Sequence, residues 1–343
     1  MPDFPYINAR VRAMKSRLLD PGRIEELLAL PSLDALIQAL SNSPYAREMQ
    51  EALARHSGLR AVDAALGQHF HRTTTKILSF ADGKPKELIA LILMRWDLAN
   101  ARILLRGKHF EYSEERILEN LLPAGSLSEA ALKELAAARS LEDVIGGLGG
   151  QDHPFAPVLA GALKTYQETK DLFYLEVALD RFYGTYGLRL TAGRGHNEQV
   201  VRRLLSADID ATNVKTAVKL QAEHALTDEA RLRFFIPGGA VVTADHFLAL
   251  THPASVERGV KALRVAGFRI ANVPDDPVAF ERAINDEVNR AQRALYLGDP
   301  LGIDIVIAYL AMKANEVANL RLVARSKALG LTRDRVRKEL VGV

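Results

Sequence analysis

Three ten-residue segments of the 343-residue chain repeat one order of chemically capable residues: DLANARILLR at 97–106, DATNVKTAVK at 210–219 and EVANLRLVAR at 316–325. Each runs acid, two residues, asparagine, an apolar residue, a base, three residues and a second base. The acid and asparagine are Asp97 and Asn100, Asp210 and Asn213, Glu316 and Asn319. The bases are Arg102 and Arg106, Lys215 and Lys219, Arg321 and Arg325. On a helix, steps of three and four bring side chains together. Asp97, Asn100, Ala101 and Leu104 therefore share a face, as do Asp210, Asn213, Val214 and Ala217, and Glu316, Asn319, Leu320 and Val323. Each asparagine sits at the edge of an apolar seam, where its amide must be hydrogen-bonded, and the acid one turn earlier is placed to help fix it. The paired bases stand on another face, where their stems can cover apolar surface or their heads can meet a partner. A structural helix–helix joint made three times is the first reading, and direct partner contact by the bases the second.

Catalytic chemistry is not written locally. Gly83-Lys84 and Gly107-Lys108 lack the upstream glycine of a phosphate-cradling loop, so neither ATP binding nor hydrolysis is expected. The run Gly146-Gly147-Leu148-Gly149-Gly150 lacks dinucleotide spacing and reads as a connector. His69 and His71, two apart, fall on different helix faces and form no metal pair. Nothing calls for a cofactor or a metal. There is no Cys, which removes disulfides, thiolate nucleophiles and Cys-based metal sites. With 45 Lys and Arg against 42 Asp and Glu, and 6% aromatic residues, the chain carries no nucleic-acid signature.

The elements that carry the repeat are helices. The text is rich in Ala, Leu and Arg, with few β-branched runs. Val62, Leu66 and Phe70 form one apolar stripe; Leu88, Leu91, Ile92 and Trp96 form another on a helix that starts after Asp82-Gly83 and runs to about 106. Only Gly239 to Thr243 reads as extended. The longest apolar runs, Leu88 to Met94 and Ile305 to Met312, fall far short of the ~20 residues that span a bilayer. The chain is expected to be soluble and cytoplasmic, and to meet a membrane only through a partner or a surface. Both ends are basic: residues 321–343 carry seven bases, among them Arg333, Arg335, Arg337 and Lys338, against two acids. Such an end suits a solvated face, an acidic partner or anionic headgroups.

Text around the repeat agrees with a triplication. Pro123-Ala124-Gly125-Ser126-Leu127 follows Asn100 as Pro237-Gly238-Gly239-Ala240-Val241 follows Asn213, and each leads to a capped helix at Ser128 or Thr243. Ala65-Leu66 precedes Asn100 as Ala283-Ile284 precedes Asn319. The same pair, Ala162-Leu163, stands further from Asn213, so the middle unit carries an insert, placed at 184–199, whose four glycines read as a loop. Three helical units are expected: 1–113, 114–227 and 228–343.

Several strings resemble the C subunit of the bacterial and archaeal V-type (A-type) rotary ATP synthases, which is similar to the d subunit of the eukaryotic vacuolar ATPase. They include DFPYINARVRAMKSRLL (3–19), LILMRWDLANARILLRG (91–107), LLPAGSLSE (121–129), DLFYLEVALDRFY (171–183), DIDATNVKTAVKLQ (208–221), FFIPGG (234–239) and DPLGIDIVIAYLAMKANEVANLRLVARSKALGL (299–331). The resemblance spans essentially the whole chain. It implies an all-α fold of three similar helical domains around a pseudo-threefold axis, forming a funnel. It implies a non-catalytic place in the central stalk, with the D and F subunits of the rotor shaft on one side and the membrane proteolipid ring on the other, transmitting torque during ion-coupled ATP synthesis or hydrolysis. It brings no active-site residues. A helical scaffold outside any ATPase, or an enzyme whose acids are assembled only by folding, are the competing readings.

Overall fold

Short polar residues set immediately before apolar stripes start many of the helices. Ser32, Ser113, Ser128, Thr227 and Thr243 each accept the backbone N–H three residues on, satisfying a donor that the first helical turn leaves open. Ser140 and Asp143 cap reciprocally, each side chain taking the other's N–H. A computed structural model describes residues 3–223, 225–252, 261, 264 and 277–342. Part of the expected third unit, at 253–260, 262–263 and 265–276, therefore lies outside the described residues. Those that are described are all-helical, with no strand among them. The stretch Gly239 to Thr243 is an irregular loop rather than an extended strand.

The chain divides into two compact units. The first joins Met1–Ala138 to Arg293–Val343. It contains α1 (Phe4–Lys15), α2 (Pro21–Ala29), α3 (Leu33–Ser41), α4 (Ala46–Leu53), α5 (Gly58–Ser79), α6 (Gly83–His109), α7 (Glu114–Leu118) and α8 (Glu129–Ala137). The second, Arg139–Gln292, contains α9 (Leu141–Gly150), α10 (Phe155–Thr169), α11 (Phe173–Leu190), α12 (His196–Leu220), α13 (Asp228–Leu232), α14 (Ala244–Leu250) and most of α15 (Pro277–Ala294). The chain then returns to the first unit with α16 (Asp304–Leu329) and α17 (Arg333–Arg337). The three repeats fall on the three longest described helices, α6, α12 and α16.

Helix α16 organises the first unit. Its opening turns, Asp304 to Ala311, are buried on every side, as befits a helix inside a core rather than on its surface. Its later half presents Val317, Leu320, Val323 and Ala324 to Leu28, Leu36, Leu40, Met49, Leu66 and Phe70 of α2 to α5. The second unit has its own core, where Val214, Ala217 and Leu220 of α12 meet Phe234, Phe247, Phe280 and Ile284.

Two glycine-rich stretches are helical where loops were expected. Gly146 to Gly150 close α9, because the Ser140–Asp143 cap starts the helix and Leu141, Val144, Ile145 and Leu148 give it a buried stripe. Gly184 and Gly187 lie inside α11, so the loop of the 184–199 stretch shrinks to the short link before α12. A Cβ at Gly184 would press on Ile209 at 3.1 Å; glycine serves there for close helix packing rather than for a turn.

A charged pair is sealed in the first unit. Lys313 and Glu316 on α16 lie 2.5 Å apart with side chains 2% and 3% exposed. The Tyr45 hydroxyl donates to Glu316, accepts from Lys313 at 2.8 Å, and lies on a ring that Lys313 also faces. Burial lowers the Lys313 ammonium pKa, with Glu316 opposing, and lifts the Tyr45 phenol well above its ordinary range. Removing one partner of such a pair strands the other charge in the core. Lys313→Met is expected to lose about 3–5 kcal/mol in urea denaturation. Adding Glu316→Gln should restore a large part, and a double variant no better than the single would show that the charge is not what the site balances.

Candidate functional site

The repeated asparagine builds the same device at each of three places. Asn100 donates from Nδ2 to Leu122 O at 2.7 Å and accepts at Oδ1 from Leu122 N at 2.9 Å. Asn213 makes both bonds to Ile236, at 2.8 and 2.9 Å, and Asn319 both to Val341, at 3.0 and 2.8 Å. The residue gripped stands 22, 23 and 22 positions downstream. The three asparagines are 1, 0 and 3% exposed. One side chain thus satisfies both backbone groups of one returning residue, and in a buried seam each of those bonds is costly to lose.

The acids of the first two repeats hold the next stretch of the returning chain. Asp97 accepts from Ser126 N at 2.7 Å, Ser126 Oγ at 2.9 Å and Leu127 N at 3.1 Å. Asp210 accepts from the consecutive amides of Ala240, Val241 and Val242 at 2.8, 3.0 and 2.9 Å. Burial raises the Asp210 carboxyl, and the three amides pull it back. Gly125 and Gly239 make this approach possible: a Cβ on either would stand inside the carboxylate of Asp97 or Asp210. The third acid departs. Glu316 reaches the Leu19 amide, Tyr45 and Lys313 instead, tying α16 to the α1–α2 connection and to the start of α4.

The bases of the second and third repeats have partners within the protein, Arg321 mostly buried and Lys219 exposed. Arg321 lies 3.5 Å from Asp63 of α5 and donates to Leu121 O at 3.3 Å. Arg325 lies 4.0 Å from Asp63 and donates to Glu119 O at 3.1 Å. In the second unit Lys219 pairs with Glu281 of α15 at 3.2 Å, and Lys215 donates to Asn285 at 2.9 Å. Asp63 and Glu281 hold matching places, two residues before Ala65-Leu66 and Ala283-Ile284. Burial raises the Asp63 carboxyl against the pull of both arginines. Arg102 is half-buried and Arg106 exposed on α6.

The basic end splits in two. Arg337 grips Glu25 of α2 with bonds of 2.8 and 2.7 Å, and Arg333 adds one of 3.0 Å. Arg335 and Lys338 are exposed and have no ion-pair partner among the described residues. Sequence reasoning missed Asp63, Glu281, Glu25, Tyr45 and Lys313, whose roles arise from contacts across the chain. Gly125 and Gly239 could have been found from the two matching flanks.

The described residues hold no cluster of ligands able to bind a metal ion, and no helix long and apolar enough to cross a membrane. The family model described as ATP synthase (C/AC39) subunit matches residues 7–339. The chain belongs to that family. It is similar to the C subunit of the V-type ATP synthase of Deinococcus radiodurans, 33% identical over 99% of this chain and 92% of the relative. It is also similar to the C subunits of the A-type ATP synthases of Haloferax volcanii, 29% identical, and Haloquadratum walsbyi, 28% identical, each over 98% of this chain and 97% of the relative. The paired-bond joints are thus features of a chain of the ATP synthase (C/AC39) family.

Asn100→Ala and Asn213→Ala each leave a buried peptide group unpaired and should cost about 1–3 kcal/mol in denaturant unfolding. Unchanged stability in both would mean that water replaces the amide and that the joints are not sealed. A second outcome concerns α17. Its two arginines hold the Glu25 carboxyl down at about 2, below its ordinary 4.5. A depressed carboxyl stabilises above its unfolded value and loses that contribution as pH falls toward about 2. Protection against hydrogen exchange over 333–340 should therefore hold from neutral pH to about 4.5 and decline progressively toward about 2. Glu25→Gln should accelerate exchange at neutral pH; equal exchange in both proteins would dismiss the clamp.

Proposed function

We propose that this chain is the non-catalytic central-stalk subunit of a V/A-type ATP synthase, joining the rotor shaft of the catalytic head to the membrane proteolipid ring and carrying torque between them. Membership of the ATP synthase complex is supported by the family match, which runs over almost the whole chain. The coupling role goes further, and the observation that carries it is the joint made three times. A torque adaptor must not shear internally. Long helices whose returning loops are bolted by paired bonds to buried asparagines are suited to resist that.

The same joints favour three similar helical domains, 1–113, 114–227 and 228–343, around a pseudo-threefold axis as a funnel. The bases of the third repeat meet Asp63 of the first, and Lys219 of the second meets Glu281 of the third, so neighbouring repeats are stitched by one rule. The D and F subunits of the rotor shaft would occupy one side and the ring the other, each across at least about 1,000 Å² of buried surface. The chain would lie on the cytoplasmic side as a peripheral component. Arg335 and Lys338 are the bases of the end best placed to face acidic ring loops or anionic headgroups, since Arg333 and Arg337 are engaged with Glu25.

Reconstitution tests this reading. Head particles lacking the subunit should still hydrolyse ATP, ion-driven synthesis in sealed vesicles should vanish, and added subunit should restore it. Persistent coupled synthesis without the chain would refute the adaptor role; loss of hydrolysis by the head alone would give it a different one. Arg335→Glu with Lys338→Glu should weaken docking onto isolated rings at low salt, and less so as salt rises, because exposed charges are screened beyond about 8–10 Å. Docking that is indifferent to both would leave these two bases as a solvated face.

A further inference from the structure

A cavity of about 450 Å³ opens in the first unit between the end of α1, α4, α5 and α16. Its walls carry five basic side chains and one acid: Arg17, Arg47, Arg72, Lys76 and Lys313 against Glu48. Much of that charge is answered locally. Arg72 pairs with Glu48 at 2.5 Å and Glu51 at 3.3 Å, Arg47 with Glu51 at 2.8 Å, and Lys313 with Glu316. Even with Glu51 and Glu316 counted, two positive charges remain. They belong to Arg17 and Lys76, neither of which has an ion-pair partner among the described residues.

The inner wall is built to donate. Tyr309 is 3% exposed and lines the cavity, yet its hydroxyl has no hydrogen-bond partner among the described residues. Arg17 is near enough to oppose, electrostatically, the rise that burial gives the Tyr309 phenol. His69, also in the wall, has a buried Nδ1 without a partner. Burial first, and then Lys313 and Arg72 beside it, take its pKa down to about 3, so the imidazole adds no charge.

We propose that this cavity binds a phosphate group, held by Arg17, Lys76 and the Tyr309 hydroxyl with Arg72 behind them. Guanidinium and ammonium donors around a concave wall match the several acceptor oxygens of a phosphate, and charge-assisted bonds to such oxygens are the strong ones. This is a side-chain site, unlike the glycine-loop cradle that the sequence lacks. A bound phosphate would bridge α5 and α16 with the segment after α1, adding an ionic tie beside the hydrophobic one. The group could reach the cavity free in solution or as the terminal phosphate of a lipid headgroup.

The full chain is titrated calorimetrically with pyrophosphate and with inorganic phosphate, at ionic strength held constant with sodium chloride. In parallel, flotation is measured with phosphatidylcholine vesicles with and without phosphatidic acid. The expected result is one-to-one binding of a phosphate probe, weakened about tenfold or more by Arg17→Ala with Lys76→Ala. Both side chains are exposed, so the fold survives their loss. Tyr309→Phe should weaken binding by a smaller factor, and Arg139→Ala with Arg203→Ala, exposed bases far from the cavity in sequence, should leave it unchanged. Binding of the soluble probes identifies a free phosphate; binding only to vesicles bearing phosphatidic acid, lost in the Arg17 and Lys76 variant, identifies a headgroup. No binding by either arm, or binding that the Arg17 and Lys76 variant retains in full, overturns the proposal.

Discussion

A primary amide on a buried helix face can take both the N–H and the C=O of one peptide residue, and this chain does so at Asn100, Asn213 and Asn319. The bonds are geometrically paired, fully buried at Asn213 and partly buried at Asn100 and Asn319, so the gripped residue can neither slide nor rotate without breaking both. Leu122 and Ile236 lie between the short helix that follows each long one and the next helix, so fixing them sets where the chain goes next. Asp97 and Asp210 then collect the amides of the following turn, and the glycine beside each carboxylate lets the backbone come close enough. The helix caps at Ser128 and Thr243, and the packing beyond them, start from a backbone whose position is already determined.

The paired bases follow from the same geometry. A helix that buries its acid and asparagine turns its i,i+4 bases toward the neighbouring helix. There Asp63 meets Arg321 and Arg325, and Glu281 meets Lys219. The bases of the second and third repeats therefore have partners within the protein. Arg335 and Lys338, at the end, have no such partner among the described residues.

The repeat was legible because an acid, an asparagine and two bases recur at fixed helical spacing in all three segments. The all-helical class was legible from periodicity and composition. What was not legible has physical causes. Glycine was read by its freedom in loops, yet at Gly184 its use is the absence of a side chain between packed helices, and at Gly146 to Gly150 strong capping outweighs weak propensity. The acid was placed beside its asparagine because they share a face, but a carboxylate is better answered by several free amides than by another side chain. Lys313 and Glu316 stand three apart on one helix, but that spacing alone did not show that the pair is buried: its third member, Tyr45, arrives only when the start of α4 packs on α16.

In the proposed role, this chain turns with the shaft and carries its torque to the ring. The direct test fixes the catalytic head of the intact complex to a surface, attaches a bead to this subunit through an engineered surface cysteine, and supplies ATP. The bead is expected to rotate in the same direction and steps as a bead on the shaft. Asn100→Ala with Asn213→Ala should soften the linkage, with larger angular fluctuation between steps. A bead that stays still while the shaft turns would contradict the role.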